Sequence, residues 1–513
     1  MKRYLPWVIV GVFIVYAAAG AFTPVRSHGG FDLSTFGRLP VQLGGRVQPM
    51  DTAARIGLLQ IRGTVDVPLE RTGASRVWHR TDRLEPTEWL AELLMNPGAA
   101  DTRPVFAVQD PTIVQKLHLK APSSGTFYYA FNELQSSLDA IAKETLRITK
   151  VPSAQRAPWE RSWMRLRNAI VVYERLKNSV QPNSFIDGAG GGKYPSYDFA
   201  ARLAEYQAGL KVGVKAAIAR EHGKGEPLDK ATEESMRAFA KPYIGTARVA
   251  LLKVIPPVDL ANARDRWEDV GTTIVSSAKT GQLPASVSYF AAMSSAFTQA
   301  KPAAFNSEAE KYRQWLASKG LKAEASRARY EFIYNRAQPY VRATAIYVFA
   351  TLLLVLSAVR PSPDRRRTGA MLVGLACALQ AVGLLFEMMV EGRPPVTNVY
   401  STIIFSGWVA VAAGCIAQRL WPKSATMPAT AIAGVLTLAI AHSLAPGGIL
   451  QLMRLALDAG FWASAIAAGV LLMAMSGRLT TMFARTRARG SDADRAEPAS
   501  AAVAIDAEVV TTS

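Results

Sequence analysis

Long apolar runs mark both ends of the chain, and helical periodicity of mixed polarity fills the stretch between them. The first run, Leu5 to Phe22, directly follows Lys2 and Arg3. Five more crowd the C-terminal third, at about Ala343–Val359, Gly369–Met388, Val399–Gln418, Met427–Leu444 and Gly460–Ser476. Each approaches the roughly 20 residues that a helix needs to cross about 30 Å of hydrocarbon. None carries a charge near its centre. The pattern therefore predicts a mainly α, polytopic helical membrane protein with about six transmembrane helices. About 320 residues of ordinary soluble composition separate the first helix from the second.

Within that stretch the apolar positions predict a second, mainly helical domain. Pro86 to Met95 has helical spacing and meets a terminator at Asn96-Pro97-Gly98. Asn132–Lys150, Pro158–Leu176 and Tyr197–Glu221 read as longer helices, with a flexible break at Gly188–Gly192 between the last two. Ser307–Ala337 reads as one long, charge-laced helix that ends at a hinge marked by Pro339. Leu39–Gly63 alternates apolar and polar residues around Gly44-Gly45, a pattern suited to a small hairpin.

Charge then orients the helices. With the N-terminus in the cytoplasm and six alternating spans, the short cytoplasmic segments hold twelve basic residues: Lys2, Arg3, Arg360, Arg365, Arg366, Arg367, Arg419, Lys423, Arg478, Arg485, Arg487 and Arg489. The short outer loops hold two, Arg393 and Arg454. That asymmetry is the positive-inside pattern. Arg342, just outside the second span, dissents. The expected organisation is a helix at 1–22, either a retained anchor or a signal peptide with small residues at Ala17–Ala21. An extracytoplasmic domain follows at 23–340, then a five-helix membrane domain at 341–477 and a cytoplasmic tail at 478–513, basic and then disordered. The expected location is the cytoplasmic (inner) membrane, with both termini cytoplasmic.

The net charge of +19 follows from the same arrangement. Residues 23–340 carry 43 Lys+Arg against 31 Asp+Glu, an excess without a dense basic block. The rest of the basicity sits mostly in loops beside the spans, where anionic lipid headgroups are the natural partner. No nucleic-acid partner is expected. With two cysteines, Cys377 and Cys415, both inside apolar runs, the chain excludes a disulfide scaffold or a zinc cluster. It also lacks Cys-x-x-Cys-His, Gly-x-Ser-x-Gly and His-Glu-x-x-His. His28, His79, His118 and His222 are isolated from one another and read as surface or interface residues. No catalytic residue is assigned.

The most informative stretch is Glu387–Trp408, which reads EMMVEGRPPVTNVYSTIIFSGW. Arg393 precedes two prolines, which force an extended path back towards the membrane. Thr397 or Asn398 suits a helix cap, Tyr400 lies at the entry, and Trp408 lies about half-way down. Residues 392–400 resemble the Gly-Arg-x-Pro-Val-Thr-Asn-x-Tyr signature of CcsA/ResC-type cytochrome c assembly proteins of System II. Two further segments look like the large variants of that family that carry an N-terminal outer domain. One is Phe36–Gln42 with Gly44–Arg55; the other runs from Glu85 through Trp89 to Asn96-Pro97. The resemblance covers roughly residues 32–148 and 340–466.

The resemblance implies a polytopic protein that helps pass haem across the membrane for attachment to apocytochrome c. Its expected partners are apocytochrome c and other assembly subunits, among them one carrying a Trp-rich motif. Imidazole is the natural axial ligand for haem iron, and His442 is the one histidine in the membrane region. The residues expected to contact haem are therefore His442, as the ligand to iron, with Trp462, Trp408, Tyr400 and Arg393. Leu457-Asp458 and Phe461-Trp462 continue the likeness, after an interfacial helix at about Ile449–Leu457. The chain then departs from it. Ile466 stands where the family places a histidine, and the family's Trp-rich haem motif is missing. The chain thus resembles the N-terminal portion of such a protein: one half of a split system, a truncated paralogue, or a degenerate copy. By itself it is not expected to be an enzyme, at most a part of a haem-attachment complex. The alternative is a haem-free, membrane-anchored scaffold that binds another envelope protein.

Overall fold

The computed structural model describes residues 4–23, 25–69, 83–120, 128–182, 198–221, 229–392, 399–420 and 426–444. It is mainly helical and divides into two compact units. One is the continuous segment Pro24–Phe332. The other joins Met1–Thr23 to the chain from Ile333 onward.

The larger unit, Pro24–Phe332, is built around helix Pro86–Met95. Pro86 starts this helix, where its missing N–H costs nothing. Asn96 ends it, because Pro97 disfavours a helical residue before it. Trp89, Leu90, Leu93 and Leu94 are all fully buried, and Trp89 approaches Tyr173 of helix Pro158–Lys177 with ring centroids 6.5 Å apart. Phe106, Phe131 and Tyr173 form an adjoining ring cluster with centroids 5.1–6.2 Å apart. A buried ion pair sits beside it. Lys177 Nζ lies 2.8 and 2.6 Å from the two carboxylate oxygens of Asp101, and Tyr173 Oη donates to Asp101 at 2.8 Å. Burial pushes the Lys177 ammonium below the usual lysine range, although Asp101 pulls the other way.

Among the described residues, three two-stranded antiparallel sheets complete this unit. The first pairs Pro40–Leu43 with Arg46–Pro49. Its turn residues Gly44 and Gly45 both have positive φ, +60° and +82°, which side chains disfavour and a tight two-residue hairpin turn requires. The alternation seen over Leu39–Gly63 thus ends at Pro49, and Met50–Ile61 is a helix. Two other expectations divide. Ser307–Ala337 forms two helices, Pro302–Ser318 and Lys322–Ala337, broken where Gly320 takes φ +81°. Asn132–Lys150 forms a short helix Phe131–Leu134, a 3₁₀ turn and helix Leu138–Thr149. Helices Lys230–Val249, Val270–Thr280 and Ala285–Thr298 lie where no element was assigned. The Gly188–Gly192 break falls outside the described residues.

The other unit gathers the apolar helices Leu5–Phe22, Pro339–Val359, Pro363–Glu391, Val399–Leu420 and Thr426–Leu444. Among the described residues, four helices are long and apolar enough to cross a membrane, within Leu5–Phe22, Lys322–Val359, Pro363–Val390 and Tyr400–Leu420. Thr426–Ala441 is a shorter apolar stretch. The expected span at Gly460–Ser476, the interfacial helix at Ile449–Leu457 and the tail lie outside the described residues. At the expected hinge, Gln338 just before Pro339 takes φ +44°, a left-handed conformation uncommon for a residue with a side chain.

Candidate functional site

The chemistry of the apolar unit follows from the register of its helices. Helices Pro339–Val359 and Pro363–Glu391 run antiparallel: Leu354 meets Gly369, Tyr347 meets Gln380 and Tyr340 meets Gly383. Helices Val399–Leu420 and Thr426–Leu444 are antiparallel too, joined along a seam of small residues. A Cβ on Gly407 would come within 2.4 Å of Thr437 Oγ1, and one on Gly414 within 2.3 Å of Thr430 Oγ1. Glycine at both positions is what lets these backbones approach so closely. Gln418 Oε1 accepts from Thr426 Oγ1 at 3.1 Å at one end of the seam.

Two polar groupings interrupt the apolar interior. In the first, Gln380 is fully buried and satisfied on both sides of its amide. Its Oε1 accepts from Tyr347 Oη at 3.1 Å, and its Nε2 donates to the Ile404 carbonyl at 3.0 Å. One side chain thereby ties three helices together. Because a buried amide without partners is costly, this bridge fixes their relative register. In the second, Tyr334 Oη donates to Glu387 Oε1 at 3.2 Å. Tyr340 and Tyr400 lie in the same neighbourhood, with the Tyr334 and Tyr340 rings 6.3 Å apart and Phe386 6.1 Å from Tyr334. A carboxylate at the end of an apolar helix is a functional candidate by its nature, and phenol hydroxyls are the donors it requires.

Of the residues singled out in the sequence, Tyr400 and Trp408 have described side chains. Tyr400 stands in the first turn of helix Val399–Leu420, beside Glu387. Trp408 lies about two turns further on, packed against the core of this unit with its ring 6.2 Å from Phe405. For His442 the backbone alone is described, in the last turn of helix Thr426–Leu444. The register that pairs 407 with 437 and 414 with 430 carries residue 442 to a position opposite 402, at the Tyr400 end of the helix pair. Arg393 and Trp462 lie outside the described residues, as do Thr397 and Asn398. Among the described residues no three His, Cys, Asp or Glu side chains gather into a metal-holding group.

Sequence reasoning passed over Gln380, Glu387, Tyr334, Tyr340 and Tyr347. A signal existed for two of them, since Gln380 and Glu387 are polar residues inside an apolar run. Their partners are not deducible from spacing.

The N-terminal motif residues have structural duties in the larger unit. Arg46 makes two parallel hydrogen bonds to Glu331, at 2.8 and 2.7 Å, and a third to Gln48 at 2.8 Å. Thr52 Oγ1 donates to the same Glu331 carboxylate at 2.8 Å. Asp51 accepts from Arg55 at 2.8 Å and from Thr87 Oγ1 at 3.0 Å. Glu88 accepts the His28 backbone N–H at 2.9 Å, and His28 Nδ1 lies 2.9 Å from its other oxygen. These bonds tie the first hairpin and two helices to helix Lys322–Ala337, which explains why such polar residues are buried.

No protein-family model matches the chain, and no curated protein matches it either.

Proposed function

We propose that the chain is a membrane component of cytochrome c maturation. In this reading about six helices cross the membrane, both termini are cytoplasmic and residues 23–340 face outward, where they position apocytochrome c or a partner subunit. The observation that carries it is the run Gly392-Arg393-Pro394-Pro395-Val396-Thr397-Asn398-Val399-Tyr400 at the junction of two apolar helices. Helix ends agree with alternating threading. Arg367 lies over the Trp7 ring at 5.8 Å, and Arg342 over the Tyr16 ring at 4.9 Å, so residues assigned to one side of the membrane are neighbours.

Haem fits the residues at this end in part. Residue 442 supplies an imidazole at the helix terminus, and Tyr400 and Trp408 supply aromatic surface on the neighbouring helix. Haem brings the group to be attached; His442 would bind its iron, with Tyr400, Trp408, Arg393 and Trp462 lining the contact. In this reading a second axial ligand and a shielding Trp-rich surface would come from a partner subunit. Attachment itself then depends on the complex.

The test is direct. Protein co-purified with its neighbouring subunits is expected to show a Soret band, and His442→Ala is expected to lower haem retention at least tenfold. A spectrum without haem, together with unchanged cytochrome c levels in a deletion strain, refutes the reading. A second reading, a haem-free scaffold binding another envelope protein, is favoured by Ile466 at the position of the family's histidine. Capture of a defined envelope partner by haem-free protein is its expected result.

A further inference from the structure

The N-terminal apolar run admits two fates, a leader that is removed or a helix that stays, and the packing of the apolar unit separates them. We propose that helix Leu5–Phe22 is a permanent member of this unit, clamped by Arg342, and that the small-residue stretch Ala17–Ala21 is a packing face and not a cleavage site. Contacts run along the whole helix. At its start, the Trp7 ring lies 5.8 Å from the Arg367 guanidinium. In the middle, Val10 is 8% exposed and joins the same core as Ile346 and Ala350, and the Phe13 ring sits 4.9 Å from Phe349. Ile9, Phe13 and Ala17 pack against that core at intervals of four, which is the spacing of one helix face.

The last two turns carry the decisive arrangement. The Arg342 guanidinium donates to the Tyr16 carbonyl, stacks over the Tyr16 ring at 4.9 Å and covers Gly20. A Cβ at residue 20 would stand 2.5 Å from Arg342 Nη2, so the guanidinium rests directly on the helix backbone. Arg336 Nε donates to the Thr23 carbonyl at 3.1 Å. The Thr23 carbonyl follows the last helical residue and has no partner inside the helix, so Arg336 holds the helix end while Arg342 braces the turn before it. A peptidase requires its substrate extended, whereas residues 17–21 are helical, and Gly20 is buried under a cation that would itself lose its partners on cleavage. The opposite face, with Val8, Val12 and Val15 exposed, has the character of a lipid-facing surface.

The inference does not depend on haem, and its test uses the full-length protein. Intact-mass measurement of the untagged chain, purified from membranes, is expected to include residues 5–22. A mature N-terminus between residues 18 and 25 overturns the proposal. Packing is tested separately with a short thiol cross-linker, in a background where Cys377 and Cys415 are serine. Phe13→Cys with Phe349→Cys is expected to link at least fivefold more than Ile14→Cys with Phe349→Cys, since Ile14 is half exposed on another face. Equal linking of the two pairs, or none in either, refutes a packed helix even if the mass is intact.

Discussion

Replacing Lys177 with methionine should destabilise the larger unit by about 3–5 kcal/mol, the range found when one partner of a buried ion pair is removed. The structure places this pair at the severe end. The Lys177 side chain is 0% exposed and that of Asp101 4%, so water cannot take over either role. The ammonium contacts both oxygens of Asp101, at 2.8 and 2.6 Å, and lies 4.7 Å from the Phe131 ring. Without it, Asp101 keeps the Tyr173 hydroxyl as a donor, which cannot balance a full charge in that setting. Adding Asp101→Asn to Lys177→Met removes the stranded charge and retains an acceptor for Tyr173. The double variant should therefore recover at least half of the loss, leaving about 1–2.5 kcal/mol for an imperfectly satisfied amide. The assay is urea unfolding of the full-length protein in detergent, followed by hydrogen exchange across helix Pro158–Lys177. With a slope of about 3 kcal/mol per molar urea, the single variant should shift the midpoint by about 1–1.7 M. A single variant as stable as wild type, or a double variant as unstable as the sum of the two single ones, refutes the argument that pairing is what makes these charges tolerable.

Two other predictions concern stability. Gly407→Leu should force apart helices Val399–Leu420 and Thr426–Leu444, because the added side chain meets Thr437. The expected cost is about 1–3 kcal/mol, read as a lower melting temperature in detergent, whereas Gly374→Leu, at an open position on the neighbouring helix, should be near neutral. Glu310 should give the larger unit a small acid dependence. Hydrogen bonds from Arg313 and then Gln314 hold its carboxyl down at about 2. A carboxylate depressed in the folded state stabilises above its unfolded value and loses that contribution as pH falls, here between roughly 4.5 and 2. The side chain is 40% exposed, so the effect should stay under about 1 kcal/mol. Melting wild type and Glu310→Gln between pH 7 and pH 2 checks it: the difference present at pH 7 should vanish at the acid end.

How much of this was legible beforehand depended on how local the cause was. A lipid-facing helix is apolar all round, so its residues announce it without any partner: the expected runs at 343–359 and 369–388 lie inside helices Pro339–Val359 and Pro363–Glu391. The hairpin was legible for the same reason, since Gly44-Gly45 sets the turn by itself. Breaks inside amphipathic stretches were not. The apolar spacing continues across Gly320, and one glycine is tolerated in a helix unless packing favours the break, as the burial of Leu321 does here. The polar pairings were illegible because each joins distant positions: Arg46 with Glu331 across 285 residues, Tyr334 with Glu387 across 53 and Tyr347 with Gln380 across 33. Tyr400 could be placed at a helix start from sequence, yet its proximity to Glu387 depends on a register that no local pattern encodes.

Arg342 shows how such a register changes the meaning of a residue. Counted as a loop charge, it speaks against an outward-facing start of the second span. The counting rule takes every basic residue near a span end alike, whatever it touches in the folded protein. Arg342 is bound to the Tyr16 carbonyl and covers the Tyr16 ring and Gly20, all on the N-terminal helix. Its charge is thus directed at the backbone and ring of the N-terminal helix. Arg342 therefore has an intramolecular role that a count of loop charges does not register. In the proposed six-span threading it stays the one exception to the twelve-to-two asymmetry, and it names the contact by which the two ends of the apolar unit are held together.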